Sequence, residues 1–312
     1  MRIAVTGGTG YLGSRLAGNL RDLGHDVRIL SRSNGYDITR KAALKDAFRS
    51  CNVVFHLAAL VQSRPDNKFR EINVRSLQNV FEECEASQVE RTIYLSSFTV
   101  FGPSRNVPHN ETSLPIRYSF FHDYDRTKYE GLQVAREWKQ RIPLDIVYPG
   151  VIYGPGPLTE GNILTYLLRR WYCTRLAALP AMGRPVWNFV FIDDVVEGLV
   201  LHLSRGAGED FVLGGDNRDL RELAETFRKV SGRRMLILPI PQTLFLLSSY
   251  LEDLQSRLRH TPPLVLPSTS RFFVCDWRLS SQKAETILGY SPRSLEDGLE
   301  ATWKWMSREL ID

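Results

Sequence analysis

No stretch of this 312-residue chain is both apolar enough and long enough to cross a bilayer. The most apolar late run, Met235 to Leu251, is interrupted by Pro239 and Pro241. It reads as a core or substrate-pocket segment, ahead of an interfacial one. The chain opens on strand-like "MRIAV" with no basic region leading into an apolar run, so no secretory signal is expected. Cysteine is sparse. The four residues, Cys51, Cys84, Cys173 and Cys275, lie far apart without metal-type spacing, which argues against a disulfide frame or zinc site. Reduced thiols and a cytoplasmic location fit better. Long runs of one charge sign are missing too. The arginines in "LLRRW" and "SGRRM" are scattered and read as solvated faces, so a nucleic-acid partner is not expected, while a basic pocket for an anionic cofactor stays open. Neither low-complexity tracts nor internal repeats occur, and the length suits one large domain or two interlocked ones.

What is present is rhythm. "RIAVTG", "DVRILS", "NVVFHLA", "RTIYLSS" and "LDIVYPG" read as apolar strands. Between them lie helical patterns in "YLGSRLAGNLRDLG", "ITRKAALKDAFRS" and "REINVRSLQNVFEECEAS", then a long loop to about Ser119 and a helix carrying Tyr124. Such alternation predicts an α/β chain built on a doubly wound, mostly parallel sheet. After Gly156 the pattern loosens and proline rises, marking a smaller, mostly helical substrate-binding part. "WNFVFIDDVVEGLVLHLSR" returns to strand-then-helix and is expected to rejoin the sheet. The division so read is 1–156 with about 187–216 for the sheet, and about 157–186 with 217–312 for the smaller part.

"TGGTGYLG" joins the first strand to the first helix. Gly7, Gly10 and Gly13 satisfy G-x-x-G-x-x-G, and Gly8, Gly10 and Gly13 satisfy G-x-G-x-x-G. Without side chains there, backbone amides approach a pyrophosphate at the helix N-terminus, and helix and strand pack closely: a Rossmann dinucleotide turn. Tyr11 and Leu12 lie within it. The second strand ends on Ser31, Arg32 and Ser33, with no carboxylate to hold a ribose 2′-hydroxyl. Hydroxyl and guanidinium groups suit a 2′-phosphate, so NADP(H) is favoured over NAD(H). Asp37, followed by Ile38, is either a residue near a helix N-cap or an acceptor for the adenine amino group. His56, ending an apolar strand, reads as a satisfied core or wall residue.

Tyr124 and Lys128, four apart in "YDRTK", share a helix face. A tyrosine of pKa near 10 needs help to act as a base near neutrality, and a lysine one turn away would lower it. Together, "TGGTGYLG", "HLAA", "INV", "YLSSFTVFG", "YDRTK", "YPGVIYGPG", "FVFIDDV" and "KAETILGYSPRSLEDGL" resemble the extended short-chain dehydrogenase/reductase family over nearly the whole chain. The resemblance implies Tyr124 as acid/base, Lys128 on the nicotinamide ribose, and Ser97 on the substrate oxygen, with Thr99 a second contact. It places Asn73 as an ordering residue, Leu57, Ala58 and Ala59 beside the cofactor, and the backbone after Pro149, near Val151, on the carboxamide. Dimerisation through the helices after the third and fourth strands is also implied.

The substrate is less legible. "GNILTYLL", with Asn162, and Arg271 resemble the nucleotide-sugar branch. Against that branch, Trp187 stands where an arginine usually meets the substrate diphosphate, with Arg184 just upstream. Tyr148 likewise replaces the usual arginine of "YPG". The apolar run near residue 245 resembles the dihydroflavonol-reductase and hydroxysteroid-dehydrogenase branch. Phe98 and Thr99, where dehydratases carry acids, argue against dehydration. The reading is hydride transfer on a ketone or secondary alcohol of an apolar small molecule. Alternatives are a nucleotide-sugar epimerase or reductase, and a non-catalytic NADP-binding sensor or assembly protein.

Overall fold

Five β-branched or apolar runs become strands β1 (Arg2–Thr6), β2 (Asp26–Leu30), β3 (Val53–His56), β4 (Arg91–Leu95) and β5 (Leu144–Pro149). The computed structural model describes every residue except 62–67, 105, 115–119, 260–266, 268 and 310–312; parts of the loop before Tyr124 therefore lie outside the described residues. Further strands are β6 (Val151–Tyr153), β7 (Leu176–Leu179), β8 (Val186–Phe191), β9 (Phe211–Leu213), β10 (Asp216–Asp219) and β11 (Leu236–Pro239). The main sheet runs β2-β1-β3-β4-β5-β9 and is parallel throughout. Its strands are buried on both sides, which explains their unbroken apolar character. Helices Tyr11–Asp22 and Ile192–Arg205 pack together, as do Ser76–Ala86 and Asp123–Trp138. Parallel order brings all strand C-termini to one edge, where an open α/β sheet binds ligands.

Three expectations need correction. β8 does form before a helix, but it does not rejoin the main sheet. It pairs in parallel with β6 and antiparallel with β10, and β9 completes the main sheet instead. The stretch 38–50 yields only the turn of helix Lys41–Leu44, because Asp46 and Ser50 adopt left-handed backbone angles of φ 62° and 60°. Finally, Met235–Leu251 is only in part the core or substrate-pocket segment expected: Met235 and Phe245 are buried, but most leucines of helix Gln242–Arg259 face outward.

Candidate active site

A cleft of about 950 Å³ opens along the C-terminal edge of the main sheet. Gly7, Gly10, Tyr11, Leu12 and Gly13 form its floor at one end. Gly7 holds φ +69°, and a Cβ there would sit 2.8 Å from the Ala58 nitrogen; a Cβ on Gly13 would overlap the Gly7 carbonyl oxygen. Helix Tyr11–Asp22 starts here with no side-chain cap and no acid in its first turn, so its amide dipole faces the cleft uncompensated. These residues fit a dinucleotide pyrophosphate. Leu57, Ala58 and Ala59 line the opposite side beyond β3, with Ile38 nearby. Ser31 and Arg32 line the far end; Ser33 lies outside the lining and exchanges a 2.8 Å hydrogen bond with the Ser31 hydroxyl. Asp37 also lines the cleft, accepting hydrogen bonds from the Thr39 amide (3.0 Å) and hydroxyl (2.8 Å).

Ser97, Tyr124 and Lys128 meet in the middle of the cleft. Ser97 caps the short 3₁₀ turn Phe98–Phe101 after β4, its oxygen accepting from the Thr99 amide and from the Thr99 hydroxyl at 3.0 Å. Tyr124 opens helix Asp123–Trp138, whose N-cap His122 accepts the Tyr124 amide at 3.1 Å. Lys128, 4 % exposed, donates to the Leu95 carbonyl at 3.0 Å, and its Nζ lies 5.9 Å from the Tyr124 ring centre. Three causes act on the Tyr124 phenol, and Lys128 is not among them. Burial pushes the Tyr124 phenol up to about 12, against a hydrogen bond with Ser97, and the Asp125 charge adds to the rise. Burial also pulls Lys128 down to about 8. Burial is the largest cause for both groups. His56 is the core residue its position suggested. It is buried, hydrogen-bonded to Thr6 at 2.7 Å and stacked on Tyr94, and burial plus the Lys128 charge lower it to about 3.

Beyond the serine the wall turns aromatic. Phe98, Trp187, Phe272 and Phe273 line it, with Trp187 5.1 Å from both Phe272 and Phe273 between ring centres, and Trp277 stacked behind Phe272. Thr99, Pro149 and Val151 line the cleft as expected. Three other expected residues do not. Asn73, in the π-turn Glu71–Arg75, is buried behind the site, accepting from the Leu60 amide (2.7 Å) and donating to the Thr127 hydroxyl (3.1 Å). Asn162 is buried and donates to the Gly154 carbonyl, so it shapes a loop instead of facing ligand. Arg271 is exposed and outside the lining because its neighbours Phe272 and Phe273 take the inward positions. Unforeseen was Asp125, which lines the cleft at 3 % exposure with Oδ2 unpartnered among the described residues. Burial drives this carboxyl up to about 7, against a hydrogen bond from the backbone at His122.

A family model, NAD dependent epimerase/dehydratase family, matches residues 3–214. The chain belongs to that family. Members of this epimerase/dehydratase family that resemble the chain differ in chemistry. A Stigmatella aurantiaca 4-hydroxy-2-methyl-3-oxo-4-farnesyl-3,4-dihydroquinoline-1-oxide ketoreductase is 26 % identical, the match covering 96 % of this chain and 95 % of that protein. The UDP-glucose 4-epimerase of Thermus thermophilus, in complex with NAD, superposes with TM-score 0.77 at 21 % identity, covering 98 % of this chain and 99 % of the other. RMD from Pseudomonas aeruginosa, complexed with NADPH, gives TM-score 0.75 at 19 % identity, again covering 98 % and 99 %. The chain is thus an enzyme of the extended short-chain dehydrogenase/reductase type, with the shared fold over its whole length. Among the described residues no helix is long and apolar enough to cross a membrane, and no cluster of side chains could hold a metal.

Proposed function

We propose that the enzyme moves a hydride between NADP(H) and a ketone or secondary alcohol on an apolar small molecule, with Tyr124 handling the proton. One observation carries the substrate class: four aromatic side chains, Phe98, Trp187, Phe272 and Phe273, line the same cleft as Ser97 and Tyr124. Burying a diphosphate against aromatic rings would cost several kcal/mol, whereas an apolar body would gain roughly 25 cal/mol per Å² covered. The farnesyl-bearing substrate named for the Stigmatella ketoreductase is of this kind. Residues 1–156 and about 187–216 would carry the cofactor, and the remainder the substrate.

A bound nicotinamide dinucleotide would supply or accept the hydride. The residues do the rest. The amides of the glycine turn hold the pyrophosphate, and Arg32 with Ser31 favours the 2′-phosphate of NADP(H) over NAD(H). Lys128 offers its ammonium to the nicotinamide ribose hydroxyls, and the backbone after Pro149 meets the carboxamide. Ser97 and Tyr124 hold the substrate oxygen. With its phenol held near 12, Tyr124 stays protonated at neutral pH, as a proton donor to a carbonyl oxygen must.

The test is NADPH oxidation with a panel of apolar ketones, run beside UDP- and dTDP-sugars assayed for epimer formation. Turnover of ketones, lowered about 10²- to 10⁴-fold by Tyr124→Phe with NADPH binding retained, is expected. Epimer formation from a nucleotide sugar would replace this reading, and full activity in the Phe variant would remove the tyrosine's role.

A further inference from the structure

Helix Gln242–Arg259 is built inside out. Its face toward the body holds Phe245, Ser249 and Ser256, while Leu244, Leu247, Leu251, Leu254 and Leu258 stand 53–72 % exposed. Their spacing of three, four, three and four residues makes one straight leucine stripe. The apolar surface continues onto Leu236 and Leu238 of β11, which pairs with β7, and onto exposed Met182 in the turn after β7. A patch of this extent left in water is what marks an interaction site.

Charge identifies the occupant. Residues 163–184 and 233–258, which form this face and the elements beneath it, carry seven arginines and two acids. The whole chain has 40 basic and 35 acidic residues, so the remainder balances at 33 of each sign. These two stretches therefore carry a net charge of +5, as large as that of the whole chain. The two acids are already engaged, Glu252 with Arg170 at 2.9 Å and Asp253 with Arg257 at 2.8 Å. A second copy of the face would set arginines against arginines, whereas anionic headgroups would neutralise them while acyl chains took the leucines.

We propose that this face docks the enzyme onto an anionic lipid bilayer, with the helix lying flat in the interface. At about 1.5 Å per residue, its 18 residues reach about 27 Å along the surface. The helix has a second role on its inner side, where the Phe245 ring lies 5.9 Å from that of Phe273, a cleft residue. One element is thus both the foot on the bilayer and the support behind the apolar end wall of the cleft. Admission of a membrane-dissolved substrate through this contact rests on the redox reading above; the docking does not.

Flotation of the full chain with phosphatidylcholine vesicles, with and without about 30 % phosphatidylglycerol, tests the docking. Partition into anionic vesicles at least about tenfold above neutral ones is expected, falling about tenfold or more in Leu247→Gln/Leu254→Gln. NADPH fluorescence titration reports the cleft separately. A chain that floats without binding NADPH would sink the redox reading and leave docking intact. If the leucine variant loses NADPH binding through misfolding, Arg175→Glu/Arg234→Glu carries the same test. Absence of flotation, flotation indifferent to both variants, or a solution dimer dissolved by the leucine variant would overturn the proposal, the last in favour of a second copy.

Discussion

Replacing Asp125 by Asn should stabilise the protein at alkaline pH. The carboxyl is 3 % exposed, and burial raises it from 3.8 to about 7. Between those values the folded chain keeps a proton that the unfolded chain has released. Folding stability therefore falls as pH rises from about 4, and the full cost is present above about 7. Three units at about 1.4 kcal/mol each give on the order of 4 kcal/mol at pH 8. Roughly 1.6 kcal/mol of this is already present at pH 5, so the part that changes between pH 5 and 8 is about 2–3 kcal/mol. Asparagine fills nearly the same volume and carries no charge, so its advantage over Asp should grow by that amount. Urea unfolding of both proteins at the two pH values measures it, and other titrating groups cancel in the double difference. An advantage equal at pH 5 and pH 8 would mean that Asp125 is already ionised at pH 5 in the folded chain, with no upward shift, and the reasoning would fail.

Two further expectations concern the site. Arg32→Glu should weaken NADPH by about tenfold or more while leaving NADH within about threefold, as measured by fluorescence titration; equal losses would remove the 2′-phosphate contact. Lys128 is pulled down to about 8 whereas Tyr124 is pushed up to about 12. The ammonium is therefore complete below pH 8 and lost as pH rises through it, before the tyrosine ionises. The kcat/KM for ketone reduction should show a single descending limb near pH 8, and a flat profile across that range would refute the lysine's part.

How much of this could be read beforehand varied with sequence distance. The parallel sheet and the glycine turn rest on local patterns, and the Ser97, Tyr124 and Lys128 set on motifs that resemble the family; all three residues line one cleft. The β6-β8-β10 sheet joins segments up to about 65 residues apart, and nothing in "WNFVF" tells which sheet it enters. Phe272 and Phe273 lie more than 170 residues from Ser97 in sequence, so the aromatic wall exists only once the chain has folded. Asp125 carries no signal of its own in the sequence, since acids in a first helical turn favour the helix dipole anyway; burial against the cleft is a tertiary fact. The leucines of Gln242–Arg259 misled for the opposite reason, because apolar content alone does not say which way a helix faces.

The seam between the two larger sheets has a mechanical consequence. β5 and β6 are consecutive, separated by Gly150 alone, whose amide donates to the Leu213 carbonyl of β9. Across the seam, buried Asn188 of β8 accepts from the Gly215 amide at 2.9 Å and donates to the Gly215 carbonyl at 2.8 Å. One short stretch of backbone and one amide side chain thus rivet Pro149, Val151 and Trp187 into a single plate. Hinge bending here would break several buried hydrogen bonds at once, so this side of the cleft is set during folding. Ligands meet a shape already made, and the entropy of aligning these groups is not charged to each turnover.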